Sequence, residues 1–196
     1  MFKFSEETSN KTVGLANAGI NDYHFTGASL DDKGNLKVSF KGASLDNPGT
    51  FTHTSFASNF EVSEQNDAAA VERSIKQIQE ITEAFVPADE AFKITTLVQL
   101  AAALNKTDKT KTYKLKLILN NKDFPNFPSY SFISSELKPR SLSLSPKINP
   151  KTNAPYDRVL PLANYVKATT ASPDSEDPFA NVDLQSTNDE FGGLVM

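Results

Sequence analysis

The chain has 196 residues, is 38% apolar and 22% charged, carries a formal net charge of −4, and contains no Cys and no Trp. A chain of this size can bury a core without disulfides or metal, and the lack of Cys excludes a disulfide scaffold, a Cys-ligated zinc site and a thiol nucleophile. No run of 18 apolar residues occurs, and Met1–Glu7 lacks the apolar stretch of a secretory signal, so a soluble cytoplasmic protein with no membrane association is expected.

Gly19 to Leu30 places Ile20, Tyr23, Phe25 and Leu30 in imperfect alternation, which predicts a strand with a bulge or bend near Gly27. Asp31-Asp32-Lys33-Gly34 is a turn signal. Leu36, Val38 and Phe40 then alternate strictly with Lys37, Ser39 and Lys41, completing a hairpin. Asp46-Asn47-Pro48-Gly49 is a second turn, and Phe51–Phe56 predicts a third strand. The period changes after Asn66-Asp67, either of which can cap a helix. Val71, Ile75, Ile78, Ile81 and Phe85 follow helical spacing up to Pro87, and a second helix is expected from Ile94 to Leu104. Tyr113, Leu115, Leu117 and Leu119 return to period two. Phe124-Pro125-Asn126-Phe127-Pro128 reads as a loop or edge, with short strands expected at Ser131–Ile133 and Ser141–Leu144.

The predicted fold is mostly β with a helical insert (α+β), in the order β-β-β-α-β-β. That is the chain order of an oligonucleotide-binding-like five-stranded barrel. Residues 1–169 form the expected nucleic-acid-binding domain, with the insert at about 67–104. Residues 170–196, rich in Ser, Thr, Asp and Pro, are expected to be a disordered acidic tail.

Charge is unevenly placed. Residues 106–158 carry eleven Lys or Arg against four Asp or Glu, residues 1–105 have a net charge of −6, and the last 25 residues hold six acids and no base. A basic block beside an acidic end points to a polyanionic partner. Within that block, basic and aromatic side chains interleave. A cationic groove follows phosphates while flat rings stack on bases, a mode that tolerates any sequence. Lys114, Lys116, Lys122, Lys138 and Arg140 are therefore expected to contact phosphate, and Tyr113, Phe124, Phe127 and Tyr130 to stack on bases. The lysines of the 113–119 strand should face solvent if the apolar residues of that strand face inward.

His24 and His53 sit on expected strands beside aromatic residues and have no accompanying nucleophile motif. Phosphate-loop, dinucleotide, zinc-protease and EF-hand motifs are absent. A non-enzymatic protein without cofactor or metal is expected.

The tail pairs acids with apolar residues twice: Asp174, Glu176 and Asp177 precede Pro178-Phe179, and Asp189-Glu190 precede Phe191. Bacterial and tailed-phage single-stranded DNA-binding proteins end in acidic tails with an apolar anchor, and in layout and tail the chain resembles the phage-type members. It departs from the bacterial pattern in lacking Trp, in not ending in Pro-Phe and in having a long helical insert. The resemblance implies sequence-tolerant binding of single-stranded DNA in support of replication or recombination. It also implies recruitment of replication or recombination proteins through Asp174, Glu176, Asp177, Phe179, Asp189, Glu190 and Phe191. The alternative is a virion, assembly or protein-interaction component without nucleic-acid binding, whose Pro-rich 125–161 region packs on a neighbour.

Overall fold

Alternation of apolar and polar residues decides the first three strands. In the computed structural model, which describes residues 14–64 and 66–169, β1 (Gly19–Leu30), β2 (Leu36–Gly42) and β3 (Thr50–Ser55) form an antiparallel meander. The register of β1 slips between Phe25 and Gly27, a bulge beside the expected glycine. Asn105 fastens the strand just past that bulge: its side chain accepts from Ala28 N at 3.0 Å and donates to Ala28 O at 2.6 Å.

Helix α1 (Ala68–Phe85) starts where Asp67 accepts a hydrogen bond from Ala70 N at 2.7 Å. Only its C-terminal half meets the core, through Glu80, Ile81, Ala84 and Phe85; Ile75, expected on the buried stripe, is exposed. After Pro87 comes a single turn, α2 (Ala88–Ala91), and then α3 (Leu97–Leu104). The second helix begins three residues later than its apolar pattern suggests. Thr96 takes the N-cap and accepts from Gln99 N, while Gln99 Oε1 accepts from Thr95 N at 2.8 Å, a reciprocal cap that fixes the boundary.

Strand β4 (Thr112–Leu119) returns beside β1, with Tyr23 opposite Tyr113 and Ile20 opposite Lys116. Its other edge is shared by two short strands, β5 (Pro125–Asn126) and β6 (Ile133–Ser134). The strand order is β3-β2-β1-β4-β5, with β6 also on β4. The result is a sheet-rich mixed α/β fold. No ladder joins β3 to β5 among the described residues.

The core lies on one face of this sheet. Phe25, Phe40, Phe51, Phe85, Phe127 and Phe132 form a connected set of rings with centroids 4.2–6.2 Å apart, five of the pairs tilted or edge-on and two, Phe40–Phe51 and Phe127–Phe132, stacked. Leu100, Ala101 and Leu104 of α3 close it. Residues 141–160 cross the opposite face near β4. The expected strand at Ser141–Leu144 is irregular instead, and Ser143 O accepts from the Lys116 side chain at 3.1 Å. A small hairpin, β7 (Ile148–Asn149) and β8 (Ala154–Pro155), and helix α4 (Leu162–Thr169) complete the described chain. No helix among the described residues is long and apolar enough to cross a membrane.

Candidate nucleic-acid interface

Six of the eleven basic side chains between residues 106 and 158 are paired with carboxylates: Lys111 with Glu136, Lys114 with Asp22, Lys116 with Asp157, Lys138 with Glu83, Arg140 with Glu80 and Arg158 with Asp123. The pairings divide the basic block into two kinds of charge. Lys106, Lys109, Lys122, Lys147 and Lys151 have no carboxylate within ion-pair distance among the described residues.

Lys116 corrects the sequence expectation. It does point to the face opposite the core, but residues 141–157 cover that face and leave it 3% exposed. Its Nζ donates to Asp157 Oδ2 and Ser143 O, both at 3.1 Å, so two of its three N–H groups are engaged beneath this cover. Lys138 and Arg140 are half-buried against α1, and burial holds the Lys138 ammonium below its ordinary pKa. Arg140 joins Glu80, whose carboxylate also accepts from the backbone N–H groups of Ser131, Phe132 and Ile133 at 2.7–3.1 Å. These two cations fasten the 131–140 segment to α1.

The four expected stacking rings also separate. Tyr113 and Phe127 are core residues, 4% and 3% exposed. Tyr113 packs 4.5 Å from Phe85, and Phe127 packs 4.2 Å from Phe132 and 4.8 Å from Phe51. Burial, with the charges of Asp108 and Glu136, pushes the Tyr113 phenol up to about 12. Neither ring offers a face to a base, because period-two alternation in β4 and the turn of chain after β5 direct both inward. Phe124 and Tyr130 are exposed. Tyr130 lies over Lys116, with Nζ 5.5 Å from the ring centroid.

A second basic surface comes from the meander. Because Leu36, Val38 and Phe40 point to the core, Lys37, Ser39 and Lys41 point outward. The registers set Lys41 beside Thr50 and His24, Ser39 beside Thr52, and Lys37 beside Thr54. Asp22 and Lys114 are adjacent across β1 and β4 and bridge at 3.0 Å. This face is polar, rich in hydroxyls and solvent-exposed at Lys41, Thr50 and Thr52. At one end lies the β1–β2 turn, where Asp31 accepts from Asn35 and Lys33; these bonds hold its carboxyl below the ordinary carboxylate range. The β4–β5 turn carries Lys122 and Phe124. The strict alternation of β2 marks Lys37 and Lys41 as outward-facing, although they lie outside the basic block that begins at residue 106.

The two histidines serve structure. His24 Nδ1 contacts Lys111 O at 3.0 Å. His53 is buried 5.0 Å from Phe127, and burial lowers its pKa to about 4. No group of three or more His, Asp or Glu side chains among the described residues is placed to hold a metal ion. Asp174, Glu176, Asp177, Phe179, Asp189, Glu190 and Phe191 lie outside the described residues. Comparison with protein-family models, curated proteins and solved structures returns no match.

Proposed function

We propose that the chain binds single-stranded nucleic acid, DNA in the first place, without catalysis and with little sequence preference, in support of replication or recombination. The observation that carries this reading is the outward face of β1, β2 and β3, where Lys37 and Lys41 rise among threonines between the β1–β2 and β4–β5 turns. Oligonucleotide-binding barrels are partly open, and they take their ligands on the face of the second and third strands between these same two loops. The order β3-β2-β1-β4-β5, with a helix between the third and fourth strands, is the order of such a barrel unrolled at its last seam. Phe127, just after β5, packs against Phe51 and His53 of β3, so side chains meet across that seam.

On this reading Lys41, Lys122 and Lys37, the last only 3.8 Å from Asp31, contact phosphates, and Phe124 and Tyr130 are the stacking candidates. Residues 14–169 hold eighteen basic against sixteen acidic side chains, and all the net negative charge lies in the last 27 residues. The tail then recruits replication or recombination proteins and competes with the ligand. Titration of a fluorescein-labelled thymidine oligomer, followed by anisotropy at two ionic strengths, tests the reading. Affinity should fall steeply with salt, because neutralised phosphates release counterions, and a duplex of the same length should bind more weakly. No binding, or a flat salt response, overturns it.

A protein-interaction role has one observation in its favour, an apolar groove of about 640 Å³ between α1 and α3 lined by Ile75, Ile78, Ile94 and Leu97. The Pro-rich 125–161 segment, expected on that alternative to pack on a neighbour, folds back on its own sheet through Lys116–Asp157 and Arg158–Asp123. A gel shift with single-stranded against double-stranded DNA separates the two readings.

A further inference from the structure

The turn between β4 and β5 and the hairpin β7–β8 enclose a cleft of about 260 Å³, too small for a large ligand but able to admit one planar ring. Its lining is mixed: Asn121, Asn149, Thr152, Tyr156 and Arg158 contribute polar groups, and the apolar side chains of Ile118, Leu119, Pro155 and Leu162 complete the walls. Arg158 is buried and engaged at both terminal nitrogens. It pairs with Asp123, donates to Asn120 O and to Leu160 O, and accepts Leu119 N at its own carbonyl. It therefore fixes the shape of the cleft and is not available to a ligand.

Asn120 Oδ1 accepts from Lys122 N and Phe124 N, and Asn149 Oδ1 accepts from Lys151 N. By contrast, the Asn121 amide, Asn149 Nδ2 and the Thr152 hydroxyl have no hydrogen-bond partner among the described residues. Tyr156 is 54% exposed as a residue, and its backbone N–H is tied to Lys147 O at 2.9 Å. Lys122, Lys147 and Lys151, three of the basic residues without a carboxylate partner, belong to the same two turns and their flanks. No carboxylate lines the cleft among the described residues, and Asp123 of the β4–β5 turn is paired with Arg158.

We propose that this cleft receives one unstacked base of a bound single strand, with Tyr156 stacking on its face, the Asn121 and Asn149 amides meeting its polar edge, and Lys122 and Lys151 holding the flanking phosphates. The inference rests on the single-strand reading above and adds a site that the aromatic-basic pattern of residues 111–140 did not include. A base edge offers both donors and acceptors, and an amide matches either. A planar aromatic ring at the rim contributes stacking that any base can use.

The test is a cycle of ring against base, read by anisotropy with labelled thymidine oligomers, one fully based and one made wholly of abasic sites. Tyr156→Leu should weaken binding of the based strand about tenfold, the scale of one lost stack. On the abasic strand, wild type and Tyr156→Leu should bind alike. Asn121→Ala, whose side chain supports nothing else in the fold, should weaken the based strand alone by several-fold and serves as a second probe should Tyr156→Leu fail to fold. If wild type binds the based strand but both variants bind it equally well, the cleft is not the base site while the single-strand reading stands. A loss of equal size on based and abasic strands also overturns the proposal. If wild type binds neither strand, both readings fall.

Discussion

Lys116 Nζ lies 3.1 Å from Asp157 Oδ2 on the face of the sheet opposite the core, and both side chains are buried, 3% and 7% exposed. Asp157 Oδ2 also accepts from Ser145 N at 2.7 Å, and Lys116 donates to Ser143 O. One ion pair thus gathers both ends of the 141–157 segment onto β4, through Ser143 and Ser145 at one end and Asp157 at the other. Removing one partner of a buried pair strands the other charge, at a cost of about 3–5 kcal/mol, whereas replacing both by apolar groups can be neutral. Asp157→Ala should therefore lower the unfolding free energy by about that amount in urea, and Lys116→Met with Asp157→Leu should recover most of it. A single mutant as stable as wild type would show that the 141–157 cover is not held by this pair.

Glu80 performs the corresponding task on the core side. A charged acceptor bonded to several donors is worth about 1.5–3 kcal/mol, and Glu80 serves three backbone N–H groups as well as Arg140. Glu80→Gln, which keeps the shape but loses the charge and one acceptor oxygen, should destabilise by roughly 2–3 kcal/mol in thermal or denaturant melts. Glu83→Gln, on the exposed partner of Lys138, should change stability by less than about 1 kcal/mol. Equal effects at the two positions would remove the special role of Glu80.

Much of the fold was readable because period and capping agreed. The strict alternation of β2, the Asp67 cap and the run of helix formers after it led to strands and a helix within a residue or two of those observed. The candidate site was less legible. Lys116 reads as a solvent-facing lysine from its own strand. What covers it is a segment 27 to 41 residues later with no periodic signal, so the ion pair is a property of tertiary packing alone. Phe127 reads as presented by its prolines, yet its ring packs against Phe40, Phe51 and Phe132 and completes the aromatic core. Three of the six acids that neutralise the basic block lie outside it in sequence: Asp22 with Lys114, Glu80 with Arg140 and Glu83 with Lys138. Counting charge along the chain could not reveal them.

His53 couples stability to pH. Burial among Phe51, Phe127 and Val38 leaves Nε2 without a hydrogen-bond partner among the described residues and lowers the pKa from an unfolded value of 6.5 to about 4. The folded state therefore holds His53 neutral while the unfolded chain takes up a proton below pH 6.5. Its stabilising share is complete above about pH 6.5 and is lost as pH falls towards about 4, with a full extent on the order of 3 kcal/mol. His53→Leu should flatten the stability profile between pH 6.5 and 4 relative to wild type. Parallel profiles for the two proteins would show that His53 does not carry the dependence.

The division of the basic block into paired and free cations gives a last, quantitative expectation for the proposed single-strand interface. A lysine that releases a counterion on binding contributes about 0.7 to the slope of log K against log salt for a single strand. A cation already neutralised by its own carboxylate contributes little. Lys41→Gln and Lys122→Gln, at positions without a carboxylate partner, should each reduce the magnitude of the slope by about 0.7 in anisotropy titrations. Lys138→Gln, whose partner is Glu83, should leave the slope as it is in wild type. Because the comparison is between slopes, a uniform loss of affinity from a stability defect does not imitate it. Equal reductions for all three variants would mean that the paired cations open to meet the ligand, and the interface would then extend from the meander face to the helix side of the molecule.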